Sequence, residues 1–202
     1  MFILFFPDSP TEETRLLILT HNGTINGFRK GCFCLTDLLT LMDQVSECLD
    51  SGKPVDAIFV DFAEAFDKVA YLRLARKLAT RGITGKVLHW TEAWLANRKQ
   101  RVCINGTLST WLLVVSEVPQ GSVLDPLLFL IYISDLDDGI INWILKFADD
   151  TKIFGEVQGS AQQQQLQADL ATLLQWSKDW QMLFNVKKCK VMQFGHHNQK
   201  MD

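Results

Sequence analysis

The sequence predicts an α+β fold, one sheet carrying antiparallel hairpins and backed by helices. Three observations lead there. Segments of helical and strand periodicity interleave along all 202 residues, with no linker and no internal repeat. Two tight hairpin signals sit between strand-like runs, at Asn105-Gly106 and at Ala148-Asp149-Asp150. A composition of 48% hydrophobic and 21% charged residues supplies a core and disfavours disorder, collagen-like repeats and coiled coil.

The elements follow in order. Residues 36–50 read as a helix that Thr36 can cap, with Leu38, Met42, Val45 and Leu49 along one side. Ser51-Gly52-Lys53-Pro54 breaks it. Val55 to Val60 (VDAIFV) is short, apolar and β-prone, which makes it a buried strand delivering Asp61 at its end. Helices are expected over 71–81 and roughly 84–97. Arg101 to Ile104 and Thr107 to Ser109 flank Asn105-Gly106, where both turn residues tolerate positive φ, and 111–118 extends the β character. A helix from near Pro126 to Ile133 is apolar all round and therefore buried. Trp143 to Phe147 and Thr151 to Phe154 form the second hairpin. Ala161 to Trp180 is a long amphipathic helix with Leu166, Leu170, Leu173 and Trp180 on one face, and 183–194 is a closing strand.

Charge is segregated within a total of −3. From Lys68 to Arg101 nine basic residues face a single acid, Glu92, whereas Val102 to Leu145 holds no Lys or Arg. Arg73, Lys77 and Arg81 recur every four residues along the helix near Leu72. That stripe reads either as a solvated helix face or as a surface contacting a nucleic-acid backbone.

The carboxylates carry the chemistry. Asp61 ends a buried strand, and Asp149-Asp150 fills a tight turn between apolar strands. Asp favours turns through its own hydrogen bonds, so the doublet alone is ordinary turn chemistry. If the two elements neighbour each other in one sheet, however, three carboxylates meet on one edge. Like charges beside a low-dielectric core call for a cation. Such a set suits two Mg²⁺ ions about 3.5–4 Å apart, the arrangement of in-line nucleotidyl transfer.

Five blocks in order resemble the reverse transcriptase domain of non-LTR (LINE-type) retrotransposons. They are Gly27-Phe28-Arg29-Lys30-Gly31, Val60-Asp61-Phe62-Ala63-Glu64-Ala65-Phe66-Asp67-Lys68-Val69, Val118-Pro119-Gln120-Gly121-Ser122, Phe147-Ala148-Asp149-Asp150, and Asn185-Val186-Lys187-Lys188-Cys189. The resemblance implies a right-hand polymerase palm with partial fingers and no thumb over residues 27–202, after a poorly matching segment 1–26. It implies RNA-directed DNA synthesis on an RNA template and DNA primer from deoxynucleotide triphosphates. Asp61, Asp149 and Asp150 would be the catalytic, metal-binding carboxylates for Mg²⁺ (or Mn²⁺). Phe66 would exclude a 2′-hydroxyl, or simply pack in the core. Gln120 and Gly121 would lie along the incoming nucleotide and template, and Lys188 would support the leaving pyrophosphate. Arg73, Lys77 and Arg81 would belong to a nucleic-acid track.

Glu117 and Asp125 stand where the family has Gly. Asp125 suits a helix N-cap before Pro126. Glu117 would repel template phosphate and, were positive φ required there, add strain. The chain reads as a truncated remnant or gene-model fragment. The alternatives to a polymerase are a non-catalytic remnant that binds RNA and a protein-interaction module. Five cysteines without zinc-site spacing suit a reduced intracellular chain. Met1 to Phe6 lacks the basic start and length of a secretory signal, and no apolar window reaches the roughly 18 residues of a membrane span, so a soluble protein is expected.

Overall fold

The computed structural model describes residues 34–118 and 124–195. Its centre is a four-stranded antiparallel sheet in the order β6-β7-β1-β8. Strand β1 (Val55–Val60) lies between β7 (Asp150–Glu156) and β8 (Lys190–Phe194), while β6 (Trp143–Phe147) pairs outside β7. Alternation along β1 divides the apolar residues between two layers. Val55, Ala57 and Phe59 join Leu145, Phe154 and Phe194 beneath helix α1 (Cys34–Asp50), which contributes Leu41, Val45 and Cys48. Ile58, Ile144 and Ile153 face the larger core on the other side. That core is built from α2 (Tyr71–Thr80), α3 (Gly85–Leu95), α4 (Asp125–Tyr132) and α5 (Ser160–Asp179). Among the described residues no helix is long and apolar enough to cross a membrane.

Several expectations need correction. Helix α1 buries the line Leu41, Val45 and Cys48, leaving Leu38, Met42 and Leu49 exposed. It carries leucine on several faces, so periodicity permitted two stripes and sheet packing selected the other. Thr36 lies inside α1 and accepts a hydrogen bond on its carbonyl from Thr40 Oγ1. Asp125 is the first residue of α4 and Leu124 occupies the cap position, so the carboxylate is buried in the first turn instead of capping. Negative charge there still complements the helix dipole. The closing strand is confined to Lys190–Phe194. Ahead of it Phe184 makes an isolated bridge to Phe62, and residues 185–188 form a turn.

Between α3 and α4 the chain makes an exposed ribbon. Strand β2 (Lys99–Gln100) pairs with β5 (Leu112–Leu113), and β3 (Cys103–Ile104) pairs with β4 (Thr107–Leu108) across Asn105-Gly106. The turn residues have φ 49° and 82°, the positive pair of a type I′ turn. The β character expected for 111–118 yields a ladder only at Leu112–Leu113. At the root, Val114 N–H donates to the Arg98 carbonyl at 2.8 Å. Arg98 Nη2 donates to Tyr71 Oη and to the Glu117 carbonyl. Tyr71 Oη donates in turn to the Ser116 carbonyl at 2.6 Å.

Glu117 adopts φ 97°. This is the backbone conformation that glycine tolerates and a side chain does not. Its N–H bonds the Val69 carbonyl at 3.2 Å, and Val118 N–H bonds the Phe66 carbonyl at 3.2 Å, so the loop after Asp61 fixes this geometry. Burial, with Asp67 adding to it, raises the Glu117 carboxyl above its ordinary range against the opposing pull of Arg98. Glu117→Gly should therefore stabilise the protein by about 1 kcal/mol, strain relief outweighing the added entropy of the unfolded chain. Urea unfolding should show a higher midpoint at unchanged slope.

Candidate functional site

The site forms where β1 ends beside the β6–β7 turn. The register pairs Val60 with Thr151 and Phe147 with Asp150, which brings Asp61 alongside the Asp149-Asp150 doublet at one sheet edge. The turn has two residues, Ala148 and Asp149, and Ala148 takes φ 54°. Asp149 is half-buried and Asp150 exposed. Burial raises the Asp149 carboxyl above its ordinary range. A hydrogen bond to its own backbone opposes this, the negative charges of Asp150 and Asp61 raise it further, and Lys188 lowers it. That response records Asp149 within electrostatic reach of Asp61, Asp150 and Lys188.

Lys188 arrives from the turn before β8. Asn185 N–H donates to the Asp61 carbonyl at 2.8 Å, and Ala63 N–H to the Leu183 carbonyl at 2.8 Å. The register between Phe62↔Phe184 and Phe59↔Lys190 shifts across residues 185–188, so this turn bulges and carries Lys188 over the strand end. Lys188 Nζ lies 3.4 Å from both Asp61 oxygens. Asp61 Oδ1 is buried and accepts no hydrogen bond. A buried carboxylate oxygen met by an ammonium at 3.4 Å but by no hydrogen bond has room for a hard cation, which takes oxygen ligands and keeps its own waters.

The expected triad is not drawn to one point. Among the described residues no three His, Cys, Asp or Glu side chains are gathered to hold a metal ion. The reason is local, because successive residues of extended backbone project to opposite sides and Asp150 opens strand β7. The edge offers Asp61 and Asp149 as the oxygen pair, with Asp150 exposed beside them. Phe66 stacks on Phe129 with ring centroids 4.4 Å apart, half-buried against the larger core. Gln120 and Gly121 lie outside the described residues.

Lys77 of the basic stripe is turned inward and cannot be part of a nucleic-acid track, whereas Arg73 and Arg81 are half-buried. Helix α2 packs on α4 through Leu74, Lys77 and Leu78. Lys77 is only 3% exposed and bonds Asp135 Oδ1 at 2.5 Å as well as the Tyr132 carbonyl. Its ammonium sits 3.7 Å from the Trp180 ring centroid, 4.9 Å from Trp176 and 5.2 Å from Tyr132. Arg73 Nε donates to the Asp179 carbonyl at 2.8 Å, and Arg81 Nη2 to Ser134 Oγ at 2.7 Å. The four-residue spacing of three cations is thus a seam joining α2 to the ends of α4 and α5. Sequence reading also missed Lys146, fully buried against Asp137. An interior strand lysine followed an acidic run, Asp135, Asp137 and Asp138, and that adjacency was the available signal.

Residues 19–201 match the family of reverse transcriptases (RNA-dependent DNA polymerases). The chain is similar to a probable RNA-directed DNA polymerase from the X-element transposon of Drosophila melanogaster. Identity is 30% over 129 residues, covering 61% of this chain and 14% of that protein. It is also similar to the RNA-directed DNA polymerase of the mobile element jockey from the same organism, 27% identical over 161 residues, covering 74% of this chain and 17% of the other. An apo telomerase from Candida tropicalis, truncated from its C-terminal domain, superposes with a TM-score of 0.65 at 12% identity. The match covers 95% of this chain and 41% of that one, and at this identity the likeness concerns the fold alone. The chain spans less than a fifth of the length of these two curated relatives.

Two measurements check the electrostatics. The folded state holds the Asp149 proton more tightly than the unfolded chain does, so stability falls as pH rises from the ordinary Asp range through the raised value. Asp149→Asn should accordingly raise the melting temperature at pH 7, with the gain shrinking as pH falls toward 3.8. For Lys77, burial lowers the folded pKa from 10.5 to about 8, with Asp135 opposing it. The unfolded chain then binds more protons between those values, and stability rises with pH across them. The stability of the native protein minus that of Lys77→Met should grow between pH 8 and 10.5, by up to about 3 kcal/mol in all.

Proposed function

Because the chain belongs to the reverse transcriptase (RNA-dependent DNA polymerase) family, with LINE-type relatives, we propose that it is the palm of an RNA-directed DNA polymerase whose site is the Asp61–Asp149 edge. The observation that carries the proposal is electrostatic. A buried Asp61 oxygen accepts no hydrogen bond and meets the Lys188 ammonium only at 3.4 Å, and burial and neighbouring acids hold up the Asp149 carboxyl. Reverse transcriptases use divalent metals, and Asp61 and Asp149 are the residues that would hold Mg²⁺ or Mn²⁺ here, with Asp150 adding negative charge beside them. Held by Asp61 and Asp149, divalent ions would lower the pKa of a primer 3′-hydroxyl and offset charge on the incoming triphosphate.

The chain's own residues supply the rest. Lys188 balances Asp61, which supports a role for it in neutralising the leaving pyrophosphate. The Phe66 ring, held by stacking on Phe129, is a fixed wall that favours deoxynucleotides by excluding a 2′-hydroxyl. By resemblance to the family, the Gln120-Gly121 block is assigned to the incoming nucleotide and template.

Primer extension on an RNA template in Mg²⁺ or Mn²⁺ should show deoxynucleotide incorporation, falling at least ~100-fold in Asp61→Asn and in Asp149→Asn. Mn²⁺ should raise the melting temperature of the native chain and leave that of Asp149→Asn unmoved. Absence of both incorporation and metal stabilisation overturns the proposal, and incorporation that survives Asp149→Asn comes from a contaminant.

A further inference from the structure

With Lys77 buried and Arg73 and Arg81 each bonded within the protein, the freer cations lie elsewhere. The ribbon of β2 to β5 supplies them. Every residue from Lys99 to Leu113 is exposed. No Asp or Glu occurs between Glu92 and Glu117, while Arg98, Lys99 and Arg101 do. In a chain of net charge −3, this stretch is a local concentration of positive potential.

The pairing sorts these side chains. Lys99 stands opposite Leu113 and Gln100 opposite Leu112. Alternation then puts Arg101 on the Lys99 face. The Arg101 guanidinium lies 4.3 Å from the centroid of the Trp111 ring. One face thus carries two cations and a Trp that is 56% exposed. Arg98 faces inward, bonded to Tyr71 Oη and the Glu117 carbonyl, and holds the ribbon's root to the body of the protein.

We propose that this ribbon face binds single-stranded nucleic acid, Lys99 and Arg101 meeting phosphates and Trp111 stacking on a base. Cations tracking the backbone beside an exposed aromatic ring are what sequence-tolerant single-strand binding requires. The guanidinium lies over one face of the indole, a cation–π contact that holds Trp111 beside Arg101. The proposed contact uses none of the carboxylates and does not depend on their chemistry.

Fluorescence anisotropy with labelled oligouridylate and oligothymidylate tests this on the full chain, without divalent metal or nucleotide, over a KCl series. Both strands should bind. The Lys99→Ala/Arg101→Ala variant should weaken both and reduce the slope of log affinity against log salt by about 0.7 for each cation removed. Trp111→Ala should weaken binding about tenfold with the slope retained. Lys99→Arg should keep the slope, and Lys178→Ala, on the exposed side of α5, should change neither quantity. Circular dichroism and melting should match the native protein in every variant, since these side chains are exposed. Unchanged affinity and slope in the ribbon variants overturn the proposal. Self-association that rises with concentration and is abolished by Leu112→Asp, together with unaltered oligonucleotide binding, would assign the ribbon to a second copy instead. Loss of primer extension with ribbon-dependent binding intact would remove the polymerase reading alone.

Discussion

The register of β1 against β7 is the constraint on which the rest depends. With Val60 opposite Thr151, the last residue before the loop meets the hairpin turn, and acids far apart in sequence share an edge. A slip of β1 by one residue would send Ile58 toward α1 and Ala57 into the larger core while β7 kept its own faces. Apolar packing on both faces therefore enforces the same alignment that assembles the charged edge. The acids sit at the strand ends, where the ladder stops and a polar group can reach solvent.

A second level of organisation is ionic. Lys77 joins α2 to the segment after α4 and to the aromatic end of α5, through Asp135, Tyr132, Trp176 and Trp180. Trp176 Nε1 donates to the same Asp135 oxygen at 2.7 Å, so one carboxylate serves both the ammonium and the indole. A buried cation of this kind adds little net stability over an apolar isostere, yet losing one partner leaves a charge uncompensated. It specifies how the helices meet. Asp169 plays the corresponding part in the middle of α5, accepting from the backbone N–H groups of Ile141 and Asn142 and from the Asn142 side chain.

Much of this was legible in the sequence, for physical reasons that differ by element. VDAIFV, the Asn105-Gly106 turn and the apolar stretch before Ile133 announce themselves, because each depends on local propensity and short-range pattern. The pairing of Asp61 with the Asp149 hairpin followed once both were taken as strand ends of one sheet. Residues with two local solutions were not legible. Helix α1 offered two apolar stripes, and only the sheet beneath selects Leu41 and Val45. The Arg73, Lys77 and Arg81 spacing is equally compatible with water and with a seam, and the aromatic residues that decide it lie about a hundred positions downstream. Glu117 was legible only conditionally: strain followed if the position required positive φ, and hydrogen bonds to Val69 and Phe66 supply that requirement.

The sheet separates two cores of unequal size. Among the described residues, seven are buried on the α1 side and twenty-one on the other. An outer layer held by so few side chains has a small opening free energy of its own, below that of the whole molecule. Amide protons of α1 would then exchange through subglobal detachment while those of α4 wait for complete unfolding. The chain is in this respect two cooperative units sharing one wall, and the thinner unit covers the side of β1 away from the helices of the larger core.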